Sequence, residues 1–150
     1  MAYCTKNDIV MRLPQETLIQ LTDDTDAQSS VNDAVLDEHI ASAGDVIESY
    51  LRQRYVLPID PVPPLLVEIA VSLTVFGLFA RRPQMHEEPP KLWLERNSMG
   101  RRMLEQMQSG RITLGGTGRN DPDPHAAEVR VNKRREDRMF TPGLWSRFSR

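Results

Sequence analysis

The chain is 150 residues long, with 39% apolar and 27% charged residues and a formal net charge of −2. That length fits one domain, or one domain with a tail, and the near-neutral balance gives no global reason to bind nucleic acid. Aromatic residues make up only 6% and Cys4 is the single cysteine, so neither one large core over the full length nor an internal disulfide is expected.

Charge is unevenly placed. Residues 1–60 hold four basic and eleven acidic residues, net −7; residues 61–114 hold seven and five, net +2; residues 115–150 hold eight and five, net +3. An acidic front and a basic back suit head-to-tail contact between copies, although chance surface charge produces the same pattern. The opening stretch, MAYCTKNDIVM, has no apolar core and does not read as a secretory signal.

In chain order, Thr5 and Asp8 form a capping box that starts a short helix over 6–13. Pro14 opens a second short helix carrying Leu18, Ile19 and Leu21, and the polar run TDDTDAQSS at 22–30 reads as a loop. Asn32 or Asp33 caps a long helix to about Arg54. Its apolar residues Leu36, Ile40, Ala43, Ile47, Tyr50 and Leu51 fall on one stripe, and Asp37, Glu38, Asp45 and Glu48 lie on the other face.

An elbow follows. Pro58, Pro61, Pro63 and Pro64 are four prolines in seven positions. Each restricts its own backbone and that of the preceding residue, so the link is stiff and costs little entropy to order. Directly after it, LLVEIAVSLTVFGLFA carries Glu68 as its sole charge, and apolar side chains surround nearly the whole circumference. Such a helix, over about 64–82, is buried on most sides. A membrane span is the competing reading, but the apolar run is 16 residues where a span needs about 20. Arg81 and Arg82 suit the negative C-terminal end of that helix. QMHEEPP at 84–90 is a loop. Pro89 and Pro90 open a last helix, 91–108, closed by Gly110, with Trp93, Arg96, Gly100, Met103, Leu104 and Met107 around one side. Gly100 in mid-helix marks either a close helix approach or a weak spot.

Together these elements predict an all-α fold: a small bundle of four to five helices over 1–114, built around the central helix 64–82, followed by a loop and extended C-terminal tail over 115–150. In that tail MFTPGLWSRF brings Phe140, Leu144 and Trp145 close to Phe148, with Arg138, Arg147 and Arg150 nearby. Aromatic and arginine side chains are frequent anchors at interfaces, and exposed aromatic surface invites aggregation. Docking on another chain is therefore expected; folding back on its own helices is the alternative.

Catalytic and metal chemistry is not indicated. His39, His86 and His125 are scattered without ligand spacing, and His39, beside Glu38, reads as a solvated helix residue. LGGTG at 114–118 lacks the lysine and following helix of a phosphate loop, and DPDP at 121–124 lacks the glycine and distal glutamate of a calcium loop. With no nucleophile elbow either, an enzyme is not expected, and neither is a cofactor. The segment NKRRED at 132–137 mixes both signs and reads as solvated surface; its basic neighbourhood, 130–138, leaves a nucleic-acid-binding regulator as the alternative function.

DVIESYLRQRYVLP at 45–58, followed by prolines and an apolar helix, resembles the head–tail connector proteins of Mu-like phages and prophages. The opening YCTKNDIVMRLPQETLIQL at 3–21 is similar to theirs, as is a closing segment with Arg138 and Phe140. The likeness covers 3–114 and 138–148 and leaves out 115–137. It implies a structural adaptor without catalytic residues, found in the neck of the virion after assembly in the host cytoplasm. In that picture identical subunits form a ring beneath the portal protein at the capsid vertex and join capsid to tail, with the portal and tail or neck proteins as partners and no membrane. DNA passes through the ring without sequence-specific contacts. The acidic face of Asp37, Glu38, Asp45 and Glu48 would suit a channel lining, since negative walls do not grip phosphates.

Overall fold

The computed structural model describes residues 2–24, 30–82 and 89–114. They form five helices and, among the described residues, no strand: α1 (Lys6–Val10), α2 (Gln15–Thr22), α3 (Asp33–Leu51), α4 (Pro64–Arg81) and α5 (Lys91–Gln108). The fold is the all-α bundle expected, with α4 touching each of the other four helices.

Local chemistry sets the helix ends. The Thr5 hydroxyl accepts from the Asp8 backbone N–H at 3.3 Å, and the Thr5 N–H donates to the Asp8 carboxylate at 2.8 Å, completing the capping box. α1 stops at Val10, earlier than expected, because the following turn leads into Pro14, which disfavours helix at the residue before it. Asn32 caps α3 through the Val35 N–H. α3 gives way to a turn after Leu51, three residues short of the expected Arg54. Pro63 and Pro90 stand at the N-caps of α4 and α5, with Pro64 the first residue of α4. At the end of α5, Gly110 N–H bonds the Met107 carbonyl at 3.1 Å and Arg111 N–H bonds that of Gln106 at 2.8 Å. This is the Schellman pattern, and it needs the positive φ of 76° that Gly110 supplies. A Cβ there would also run into the Arg54 guanidinium.

The core is one cluster. Leu36, Ile40, Ala43, Ile47 and Leu51 of α3 are buried, as the stripe predicts, and Tyr50 is partly buried beside them. Ten residues of α4 are buried, including Leu66, Ile69, Val75 and Leu78. α4 is also the one described helix long and apolar enough to cross a membrane; here it occupies the centre of the bundle. Ser72 and Thr74 lie buried within it by donating to the carbonyls of Glu68 and Ala70, both at 2.8 Å. On α5 the buried set is Trp93, Asn97, Gly100, Leu104 and Met107. Arg96, placed on the inner stripe by the sequence, is exposed, with its guanidinium 5.1 Å from the Trp93 ring; Asn97 is buried instead.

The two short helices are fastened to α3 and α4 by charge as well as by apolar packing. Lys6 pairs with Asp33, and Arg12 with Glu68. Arg81 and Arg82 both pair with Asp24 and donate to the Leu21 and Gln20 carbonyls at 3.3 and 2.7 Å. The two arginines thus cap the open carbonyl end of α2 from a distance of sixty residues, a role beyond the interaction with their own helix end expected from the sequence.

Candidate functional site

The elbow between α3 and α4 is held from inside. Pro58, Pro61 and Pro64 are exposed and Pro63 is half-buried, whereas Tyr55 and Ile59 are almost wholly enclosed. The Leu57–Pro58 and Asp60–Pro61 peptide bonds are cis. The Tyr55 hydroxyl accepts from the Leu114 N–H at 3.1 Å, which brings the chain after α5 against the elbow. The Ile59 backbone bonds the Tyr3 hydroxyl, and Tyr3 also donates to Glu48 at 3.4 Å. Burial, opposed by the Ile59 bond and assisted by Glu48, pushes the Tyr3 phenol up. The proline pattern signals the elbow in the sequence; its buried anchors, Tyr55 before the prolines and Ile59 between them, carry no comparable signal.

Four acidic residues share one face of α3, and they are not equivalent. Asp37, Glu38 and Asp45 are exposed, while Glu48 is half-buried and engaged by Tyr3. Glu48 stands one turn after the buried Gly44, at the border of the apolar stripe. His39 departs from the solvated reading: it is half-buried, and a Cβ at Gly77 of α4 would lie 3.0 Å from its Nδ1. Burial draws its pKa below 6.5, with Glu38 opposing and Arg81 adding to the effect. Cys4 is also buried, its Sγ 3.8 Å from the Thr74 hydroxyl, and burial raises its pKa.

A second surface, which no sequence motif marks, lies between α4 and α5. Leu65, Glu68, Ile69 and Ser72 form one wall of an open groove of about 240 Å³, and Arg96, Met99, Gly100 and Met103 form the other. Gly100 lies over Ile69, where a Cβ would sit 3.4 Å from Ile69 Cγ2, so the helices approach closely. Leu92 and Met99, 55% and 58% exposed, continue the apolar flank of α5 beside this groove. Leu92, Arg96, Met99 and Met103 recur at helical spacing, which is the signal available in the sequence.

Among the described residues no group of three or more histidine, cysteine or acidic side chains could hold a metal ion. The docking residues Arg138, Phe140, Leu144, Trp145 and Phe148, the basic segment 130–138 and the glycine-rich 115–118 lie outside the described residues. So do His86 and His125.

Residues 3–133 match the model of the family described as Bacteriophage Mu, Gp36. The chain belongs to that family. Among the relatives of this Gp36-family protein, Gene product J of Escherichia phage Mu is 30% identical over 129 residues, covering 86% of this chain and 87% of the relative. Mu-like prophage FluMu protein gp36 of Haemophilus influenzae is 29% identical over 118 residues, 75% of each chain. The protein is therefore a phage protein of the Mu-like kind. The family match runs through 115–133, where the sequence alone offered no usable likeness, and does not include 138–148.

Proposed function

We propose that this Gp36-family protein is a structural head–tail connector subunit, an adaptor without catalytic or cofactor chemistry. Copies form a homo-oligomeric ring at the virion neck, between the portal protein and tail or neck proteins, after assembly in the host cytoplasm. DNA passes through the ring without base-specific contact, and no membrane is involved. The observation that supports this best is the combination of membership in a Mu phage family with a small helical bundle pinned around its elbow. A subunit held at the elbow by Tyr55 and Ile59 keeps one shape from copy to copy, which a closed ring requires. Asp37, Glu38 and Asp45 are exposed, with Glu48 at the inner border of their face; in this reading these carboxylates line a channel that repels phosphate. The tail, through Arg138, Phe140, Leu144, Trp145 and Phe148, docks each subunit on a neighbour.

Deleting residues 138–150 tests this. The helices should remain folded by circular dichroism while the subunit fails to enter particles. Normal incorporation of the truncated chain, or absence of the full-length subunit from the neck in images of intact particles, would overturn the proposal. The nucleic-acid regulator reading rests on 130–138 and predicts duplex DNA binding that weakens steeply with salt; a gel shift at low salt separates the two.

A further inference from the structure

We infer that the groove between α4 and α5 is the receptor for the C-terminal segment 139–148 of a second copy of this chain. The inference deepens the connector reading, because it rests on the tail being a docking segment, and it assigns the surface that receives it.

Three observations converge. The groove has the size and lining for an aromatic side chain. Its volume is about 240 Å³, whereas an apolar cavity of about 150 Å³ is enough to hold benzene. Leu65, Ile69, Met99 and Met103 offer it apolar contact. The two methionines are adaptable and make favourable sulfur–aromatic contacts. Met99 is 58% exposed, and Leu92 beside it on the same flank is 55% exposed.

The tail supplies matching chemistry. Residues 139–148 contain Met139, Phe140, Leu144, Trp145 and Phe148, the densest apolar group after Leu114. Arg147 lies between the last two aromatics. The groove wall carries Glu68, already paired with Arg12, and Arg96, so the match between tail and groove is one of apolar surface, with Glu68 able to share a second guanidinium.

Reach allows a second copy, and symmetry favours it. Leu114 is held at Tyr55, and residues 115–138 separate it from the apolar segment. At roughly 3.3 Å per residue that stretch spans up to about 80 Å, farther than a domain of this size is wide. A segment of one copy seated in a groove of the next is a heterologous contact, the kind that closes rings. The basic charge of 115–150 against the acidic charge of 1–60 favours the same head-to-tail order.

The test uses the full-length protein with Ser146→p-benzoylphenylalanine, which leaves Trp145 and Phe148 in place. On irradiation of concentrated protein, the expected product is a covalent dimer of the 17.1 kDa chain, with the link mapped by mass spectrometry to Met99 or Met103. Adding Met99→Arg should lower the dimer yield about tenfold, which corresponds to roughly 1.4 kcal/mol of lost docking. Leu94→Arg, at a 48% exposed position on the opposite flank of α5, should leave it unchanged. Circular dichroism checks that both variants fold. A link within one chain, a dimer joined elsewhere, a yield indifferent to Met99→Arg, or no dimer at all overturns the assignment. Failure of the subunit to appear at the particle neck would remove the connector reading and leave a mapped groove contact standing; a link elsewhere would remove the groove and leave the connector reading standing.

Discussion

Ile59→Ala separates two explanations of the elbow: restriction by the prolines, or anchorage by the buried side chains between them. Ile59 is 1% exposed within the core cluster. Truncation removes three carbons, about 2.4 kcal/mol at ~0.8 kcal/mol per buried methylene. Incomplete collapse of the cavity adds about 1 kcal/mol, for a total of about 3–4 kcal/mol. Pro64→Ala is the contrasting change. Pro64 is exposed at the first position of α4, where a helix has no use for its N–H, so the loss comes through greater freedom of the unfolded chain and amounts to about 0.4–1 kcal/mol. Urea unfolding of the full chain, followed by circular dichroism at 222 nm (a helical band), measures both. The midpoint should fall several times further for Ile59→Ala than for Pro64→Ala, with the slope unchanged. A cost below about 1 kcal/mol for Ile59→Ala, or a larger cost for Pro64→Ala, would refute anchorage as the dominant effect.

Cys4 is 4% exposed with a thiol pKa raised by burial, so a thiol reagent should label the native protein slowly and the urea-unfolded protein at once; rapid native labelling contradicts this packing. Burial holds the His39 pKa below its unfolded value of 6.5, so on acidification the unfolded chain takes up its proton first. Stability should therefore fall as pH drops below 6.5, and His39→Gln should lessen that loss in paired unfolding curves at pH 7.5 and 5.5; equal losses would exclude the effect. Gly110→Ala forces a side chain into a positive φ and into the Arg54 guanidinium, and should destabilise by about 1–3 kcal/mol. A neutral result in thermal unfolding would mean that the end of α5 is not held in this conformation.

The acidic face of α3 shows how far helical periodicity reaches. Asp37, Glu38, Asp45 and Glu48 are placed together by a step of 100° per residue, which is local arithmetic. Whether a residue at the border of that face turns inward depends on what lies beside it. Glu48 is half-buried because Tyr3, 45 residues earlier, reaches it. The same limit accounts for Arg96 and Asn97. They are adjacent on α5, and the rotation of that helix against α4 decides that Asn97 is buried while Arg96 lies over Trp93. Its neighbour Glu38 suggests a solvated His39; the half-burial of His39 comes from Gly77 on another helix. The groove of the candidate docking surface exists only once Ile69 and Gly100 are brought together, so the spacing of Leu92, Met99 and Met103 alone could not locate it.

The elements legible along the chain are those that short-range forces control. Thr5 with Asp8, Asn32, Pro64, Pro90 and Gly110 mark helix ends because caps and backbone restriction act within a few residues. The apolar circumference of α4 likewise announces a central helix, since packing among the other helices is what hides it in a bundle. Tertiary structure decided how those helices are rotated and tied: the inward turn of Ile59 and Tyr55, the reach of Arg81 and Arg82 to the end of α2, and the groove over Ile69. Each joins residues tens of positions apart, and such contacts depend on the packing of whole helices, which leaves no local pattern along the chain.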